Sequence, residues 1–302
     1  MSTETGAATG SETSRIHNIG YRAYDGPRLG RAYARRSLYS QSLRGSFGLG
    51  RSVKSKVLPM LLFGVMCLVA AIIVAVAIAT PDSTKLPIKY TSFAIYLQAV
   101  IGLFIASQAP QAVSRDLRFK TVPLYFSRPI ERSDYVIAKF AAMASALFVL
   151  TGAPLVILYI GALLGKFDFA DQTKWFAQGM VSVALLSVLF AGLGLVMAAF
   201  TPRRGFGVAA VIALLTITYG AVSTVQGIAW STESEGAVKW LGLFSPITLI
   251  DGVQTAFLGA SSAFPGGYGP GAGAGVVYLL VVLALVAGSY AVLMRRYRKV
   301  GL

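Results

Sequence analysis

Most side chains in this sequence that could do chemistry are gathered between residues 114 and 139, SRDLRFKTVPLYFSRPIERSDYVIAK. Arg115, Asp116, Arg118 and Lys120 offer charges that could set the register of a contact with another protein. Leu117, Phe119, Leu124, Tyr125 and Phe126 offer apolar anchors of the kind that supply the energy of such contacts. Thr121, Ser127 and Arg128 complete the segment, and residues 128–132 would turn the chain back into the apolar run that follows. The chemistry on offer is recognition, not bond breaking. A merely solvated basic loop is the competing reading, but such a loop has no need of so many aromatic side chains.

Motifs for covalent or nucleotide chemistry are missing. In GALLGKF, residues 161–167, the glycine spacing is one short of a phosphate-binding loop and no Ser or Thr follows the lysine. The glycines of 266–275 never complete a dinucleotide fingerprint, and there is no HExxH, paired-cysteine motif or nucleophile elbow. Cys67 is the sole cysteine and His17 the sole histidine, so neither belongs to a metal-ligating cluster. The chain by itself is expected to be neither an ATPase nor any other enzyme, with no metal site.

A second set of candidates is neutral. Gln108 and Gln111 close one apolar run, and Thr216, Thr218, Ser223, Thr224 and Gln226 are clustered on another. They are the weaker candidates, as the lining of a substrate path. Hydrogen bonding between helices competes as the role of each one.

The elements that must position these residues are membrane helices. Hydrophobic residues make up 55% of the chain, charged residues only 13%, and mean hydropathy is +0.67. A typical soluble domain carries roughly 25% charged residues. Apolar runs at about 58–79, 91–113, 140–164, 175–200, 206–229 and 275–294 contain no Asp, Glu, Lys, Arg or His. Each is long enough to cross a bilayer, which takes about 20 residues. Backbone groups in hydrocarbon must be satisfied within the segment, so the runs read as helices. Pro154 is expected to kink the third, and small residues at 141–146, Gly192 and Gly194 mark close helix contacts.

Charge sets the orientation. Of the 27 Lys and Arg, 22 lie in the N-terminal segment, the 114–139 loop, the Arg203-Arg204 turn and the C-terminal tail. That bias predicts both termini in the cytoplasm. It also accounts for the net charge of +15 without nucleic acid, because the cations follow the loops and do not share one folded face. Residues 1–24 read as a disordered tail and 25–57 as a region holding an amphipathic helix in the headgroup layer. Its apolar arc would be Leu29, Ala32, Tyr33, Leu43 and Phe47, with the arginines snorkelling to lipid. The span domain would run from 58 to 302, without a cleavable signal peptide. In the outer connection before the last span, Ser245-Pro246 and Gly259 bracket a short amphipathic helix, with Leu249, Ile250, Val253, Ala256 and Phe257 on one face, expected at the outer membrane surface and dipping toward the bundle.

The pattern Asp116, Lys120-Thr121, then Leu124 to Ile130 (LYFSRPI), Arg132, Tyr135 and Lys139 resembles the cytoplasmic loop between spans two and three of type-2 ABC transporter permeases. It departs at Lys120, where many members carry Gly. The likeness covers about residues 25–300. It implies an all-α integral membrane subunit of a bacterial plasma membrane, with 114–139 forming a coupling helix that docks on an ATPase. It further implies two copies of a cytosolic ABC ATPase, which bind the ATP and Mg, a second permease, identical or homologous, and surrounding membrane lipid. This chain would hold no cofactor of its own. Export of a lipophilic or amphiphilic substrate (drug, antibiotic or lipid) is the leading expectation. A permease for extracytoplasmic metal-cofactor maturation and a non-transporting membrane anchor are the alternatives.

Overall fold

A computed structural model describes residues 20, 26, 29–80, 85–119, 125, 130–201 and 203–299, the side chains of Arg115 and Arg204 excepted. The tail assigned to 1–24 therefore lies almost wholly outside the described residues. Among those described, regular structure is entirely helical.

Five helices are long and apolar enough to cross a membrane: α2 (Val53–Ala79), α6 (Arg132–Leu164), α7 (Phe169–Phe200), α8 (Arg204–Ser231) and α11 (Ala272–Arg298). At about 1.5 Å per residue, the 33 residues of α6 extend roughly 50 Å, well beyond a hydrocarbon core of about 30 Å. Its first turns thus carry charge at no cost to burial in lipid. The helix continues through Pro154 to Leu164. The centre of the bundle is α6 against α7, where Leu147, Leu150, Leu155, Leu186 and Leu189 are fully buried. Gly194 makes room for α4 in this packing: a Cβ there would sit 2.5 Å from Ile105 Cδ1.

The run 91–113 is not one straight span. It divides into α3 (Tyr90–Tyr96) and α4 (Gln98–Ala112), bent by 61°, and only the pair together would make a sixth crossing. The reason is tertiary. Gly179 of α7 lets Tyr90 approach so closely that a Cβ would lie 2.7 Å from Tyr90 Cβ, and the Tyr90 hydroxyl donates to Gln172 Oε1 at 2.8 Å. Residues 90–95 are all buried as a result.

Two peripheral helices differ from the sequence expectation. In α1 (Arg31–Ser46) the proposed apolar arc is split: Leu29, Ala32 and Tyr33 are exposed, while the buried residues are Leu38 and Ser46. The helix docks on α6 through Leu38 and Tyr39, whose hydroxyl donates to Ser145 Oγ at 2.9 Å. Arg31 and Arg35 pair with carboxylates of the same chain. The second, α10 (Pro246–Phe257), follows the short α9 (Glu235–Leu241). Residues 246–254 are buried all round, so α10 is a helix of the bundle interior and not a surface one. Gly252 packs on Tyr278 of α11, where a Cβ would meet the ring at 2.3 Å. Gly259 closes α10 as expected, with φ +61°, and the Ala260 N–H donates to the Gln254 carbonyl.

Candidate functional site

The segments that carry most of the positive charge converge at one end of the bundle. Here α5 (Ser114–Arg118) leaves α4 as a single helical turn, anchored where Ser114 Oγ donates to the Ala198 carbonyl of α7 at 2.8 Å. The next residue but one, Asp116, is held from both sides by α6. Tyr135 Oη donates to Asp116 Oδ2 at 2.7 Å, and Lys139 Nζ lies 3.0 Å from the same oxygen. Tyr135 is fully buried, and its ring meets Tyr125 at 5.5 Å and Tyr297 of α11 at 5.0 Å between centroids. Tyrosine and lysine four residues apart share one face of α6, which is why a single carboxylate reaches both.

The ion pairs extend to α1. Arg31 pairs with Glu131 and, at 2.5 Å, with Asp134 Oδ2; Arg35 Nη1 is 3.6 Å from Asp134 Oδ1. Asp134 also accepts the Glu131 N–H at 3.2 Å, closing the first turn of α6. Arg51 Nη1 donates to Gln111 Oε1 at 2.8 Å, tying the start of α2 to the end of α4. Bonds from α5 thus reach α6 and α7, and α5 follows directly on α4.

Of the recognition residues read from the sequence, Asp116 is engaged inside the chain and Leu117 packs against the core. Arg118 and Phe119 are exposed, with the Arg118 guanidinium 5.7 Å from the Phe119 ring. Tyr125 stands on Tyr135. The side chain of Arg115, and Lys120, Thr121, Leu124, Phe126, Ser127 and Arg128, lie outside the described residues.

The neutral candidates scatter. Gln108 and Gln111 border a cavity of about 300 Å³ beside Asp116 and Lys139. Thr216 lines an open groove between α4 and α8, Thr224 is exposed on α8, and Thr218 Oγ1 donates to the Leu214 carbonyl of its own helix. Thr151 and Ser187 likewise bond back to their own helices, so bonding between helices is not the rule for these hydroxyls. Ser223 and Gln226 turn inward, and Gln226 Nε2 donates to the Val238 carbonyl at 2.9 Å.

These last two residues line a second cavity, of about 130 Å³, at the end of the bundle opposite the charge cluster. Asp251 of α10 lines it too, a residue that sequence reasoning passed over. Its Oδ1 accepts from Gln254 Nε2 at 2.8 Å and its Oδ2 from the Ala263 N–H at 2.9 Å, while Ser182 Oγ of α7 donates to Gln254 Oε1 at 2.6 Å. Burial pushes the Asp251 carboxyl above the usual carboxylate range, and the two hydrogen bonds pull the other way. The signal that could have found it was a lone acid inside the apolar stretch PITLIDGVQTAF. Glu131 and Asp134 were also missed as partners of Arg31, because those contacts join residues about a hundred positions apart.

Long apolar helices around a buried centre, with charge confined to the ends and to one short helix, define a multi-pass all-α membrane protein. Over residues 68–302 the sequence matches the ABC-2 family transporter protein family, and the chain belongs to that family. No curated protein matches it. Membership implies a membrane subunit, usually not catalytic itself, that associates with an ABC ATPase.

Proposed function

We propose that this chain is the permease of an ATP-driven exporter in a bacterial plasma membrane, oriented with its charge cluster and both termini in the cytoplasm. It works with a second permease, identical or homologous, and with two copies of a cytosolic ATPase that hold the ATP and Mg. Its cargo is lipophilic or amphiphilic.

The observation that carries this reading is the seating of Asp116. A five-residue helix ending in exposed Arg118 and Phe119 is a contact surface, and its carboxylate is fastened to buried Tyr135 and Lys139 on the central helix. Force applied by an ATPase at Arg118 and Phe119 would reach α6 through a charge-assisted bond of about 1.5–3 kcal/mol, stiff enough to move the helix as a body. Positive charge around that contact also favours an acidic groove on the partner.

The test is a deletion. Removing residues 118–128 is expected to abolish co-purification of the ATPase in mild detergent while the permease still inserts and elutes as a single species. Undiminished co-purification would take the loop out of its role.

A further inference from the structure

The interior of this bundle holds one carboxylate that the motor contact does not use. Asp251 is 2% exposed, and among the described residues no Lys, Arg or His pairs with it. Two neutral donors satisfy part of its hydrogen-bonding capacity, yet a carboxylate has about four acceptor positions and a charge that burial penalises. The cavity it lines is bordered by Gln226, Ser223, Thr248, Tyr219 and Phe264, with apolar wall from Ile95 and Ile247. Tyr219 is also the end of a separate groove of about 350 Å³ between α4 and α8, whose walls include Gly102, Leu103, Ile212 and Leu215. Tyr219 therefore borders both a small acidic chamber and a larger, mainly apolar groove.

We propose that the two form a single site for a cationic amphiphile, with an ammonium or protonated amine against Asp251 and its alkyl tail along the α4–α8 groove. The proposal rests on the exporter reading and names the class of its cargo. Charge selects the head: an anion would meet the Asp251 carboxylate, while a cation would supply the missing counter-charge beside aromatic faces that attract it. Size agrees, since about 130 Å³ leaves room for a small ammonium head. A metal ion is a poor fit: among the described residues no group of three or more His, Cys, Asp or Glu side chains is placed to hold one. Neutral polar walls also keep a bound ammonium hydrogen-bonded without trapping it in a permanent salt bridge, which suits a transported group.

The experiment uses the full-length permease in uncharged maltoside micelles and two probes of equal length, a photoreactive dodecylammonium and a photoreactive dodecyl sulfate. Mass spectrometry locates the label. The ammonium probe is expected to mark residues 99–103 and 212–219 about tenfold more than the sulfate does. Asp251→Asn should remove that excess while leaving sulfate labelling unchanged, which also reports that the fold has survived. Ser223→Phe, which fills the chamber without touching the charge, should remove it as well. Equal labelling by the two probes, an excess that survives both substitutions, or a groove that yields only cross-links to a second copy of the chain would overturn the proposal. No ATPase enters this measurement, so its failure and a failure of the loop deletion are read separately.

Discussion

Asp134 and Asp251 are both almost completely buried, one at each end of the molecule, and the chain treats them in opposite ways. Asp134 has a guanidinium at 2.5 Å, a second at 3.6 Å and a backbone N–H, and its neighbour Asp116 has a lysine and a tyrosine. Asp251 has an amide and a backbone N–H only. At the charged end, carboxylates act as joints: each is neutralised within the chain and holds one helix to another. At the opposite end, the carboxylate is kept in place by neutral donors and its charge is left unanswered. A joint should be costly to cut, and an open charge should be cheap to remove.

The largest effect expected from that contrast is at Lys139. Its side chain is 10% exposed and that of Asp116 17%, so Lys139→Ala takes the lysine from a largely shielded carboxylate, and breaking a buried pair typically costs about 3–5 kcal/mol. Tyr135 still donates to Asp116, which places the expectation near the low end, about 3 kcal/mol. Thermal unfolding of the detergent-solubilised protein should register the loss, and Lys139→Ala combined with Asp116→Asn should recover most of it. If the double variant is no better than the single one, the pair is not a joint and the contrast between the two ends fails.

Arg31→Ala is a smaller cut at the same end. The arginine is 48% exposed and Glu131 63% exposed, so that pair falls among surface ion pairs, which contribute little. The bond to Asp134 is better shielded, but Arg35 stands by as a substitute. The expected loss is well below that at Lys139, shrinking further as salt is added, and a salt titration of the melting temperature reads it. A loss as large as that at Lys139 would mean that α1 is structurally continuous with the bundle core and not a docked accessory.

Which of these features could be read in the sequence follows from whether the deciding interaction is local. Five apolar runs became single helices because hydrocarbon length and uncharged composition fix such helices one residue after another, and the position of Gly259 is a local requirement for positive φ. The bend after Tyr96 left no such mark. No Pro or Gly stands at Leu97, and the break is dictated by Gly179 and Gln172 some eighty positions away. The docking face of α1 was misjudged for the same reason, since Leu38 and Ser46 count as inward only once α6 is alongside. For α10, the shared face of Leu249, Ile250, Val253, Ala256 and Phe257 leaves Asp251 and Gln254 on the other side. In the folded chain they satisfy each other and Ser182, so the polar side is buried too.

The smallest expected effect, and the one opposite in sign, is at Asp251. Asp251→Asn keeps a carbonyl oxygen to accept the Ala263 N–H, while an amide can exchange with Gln254 by rotating the partner side chain. What disappears is a buried charge that no cation of the described chain offsets, and replacing such a charge by a neutral group of the same shape is commonly neutral or stabilising by about 1 kcal/mol. The melting temperature should therefore stay level or rise, where the same change of charge at Asp134 would lower it by releasing Arg31 and Arg35 from α6. A marked fall at Asp251 would mean that its charge is already answered inside the protein. It would then be a third joint, and the chamber beside it would have no counter-charge to offer a ligand.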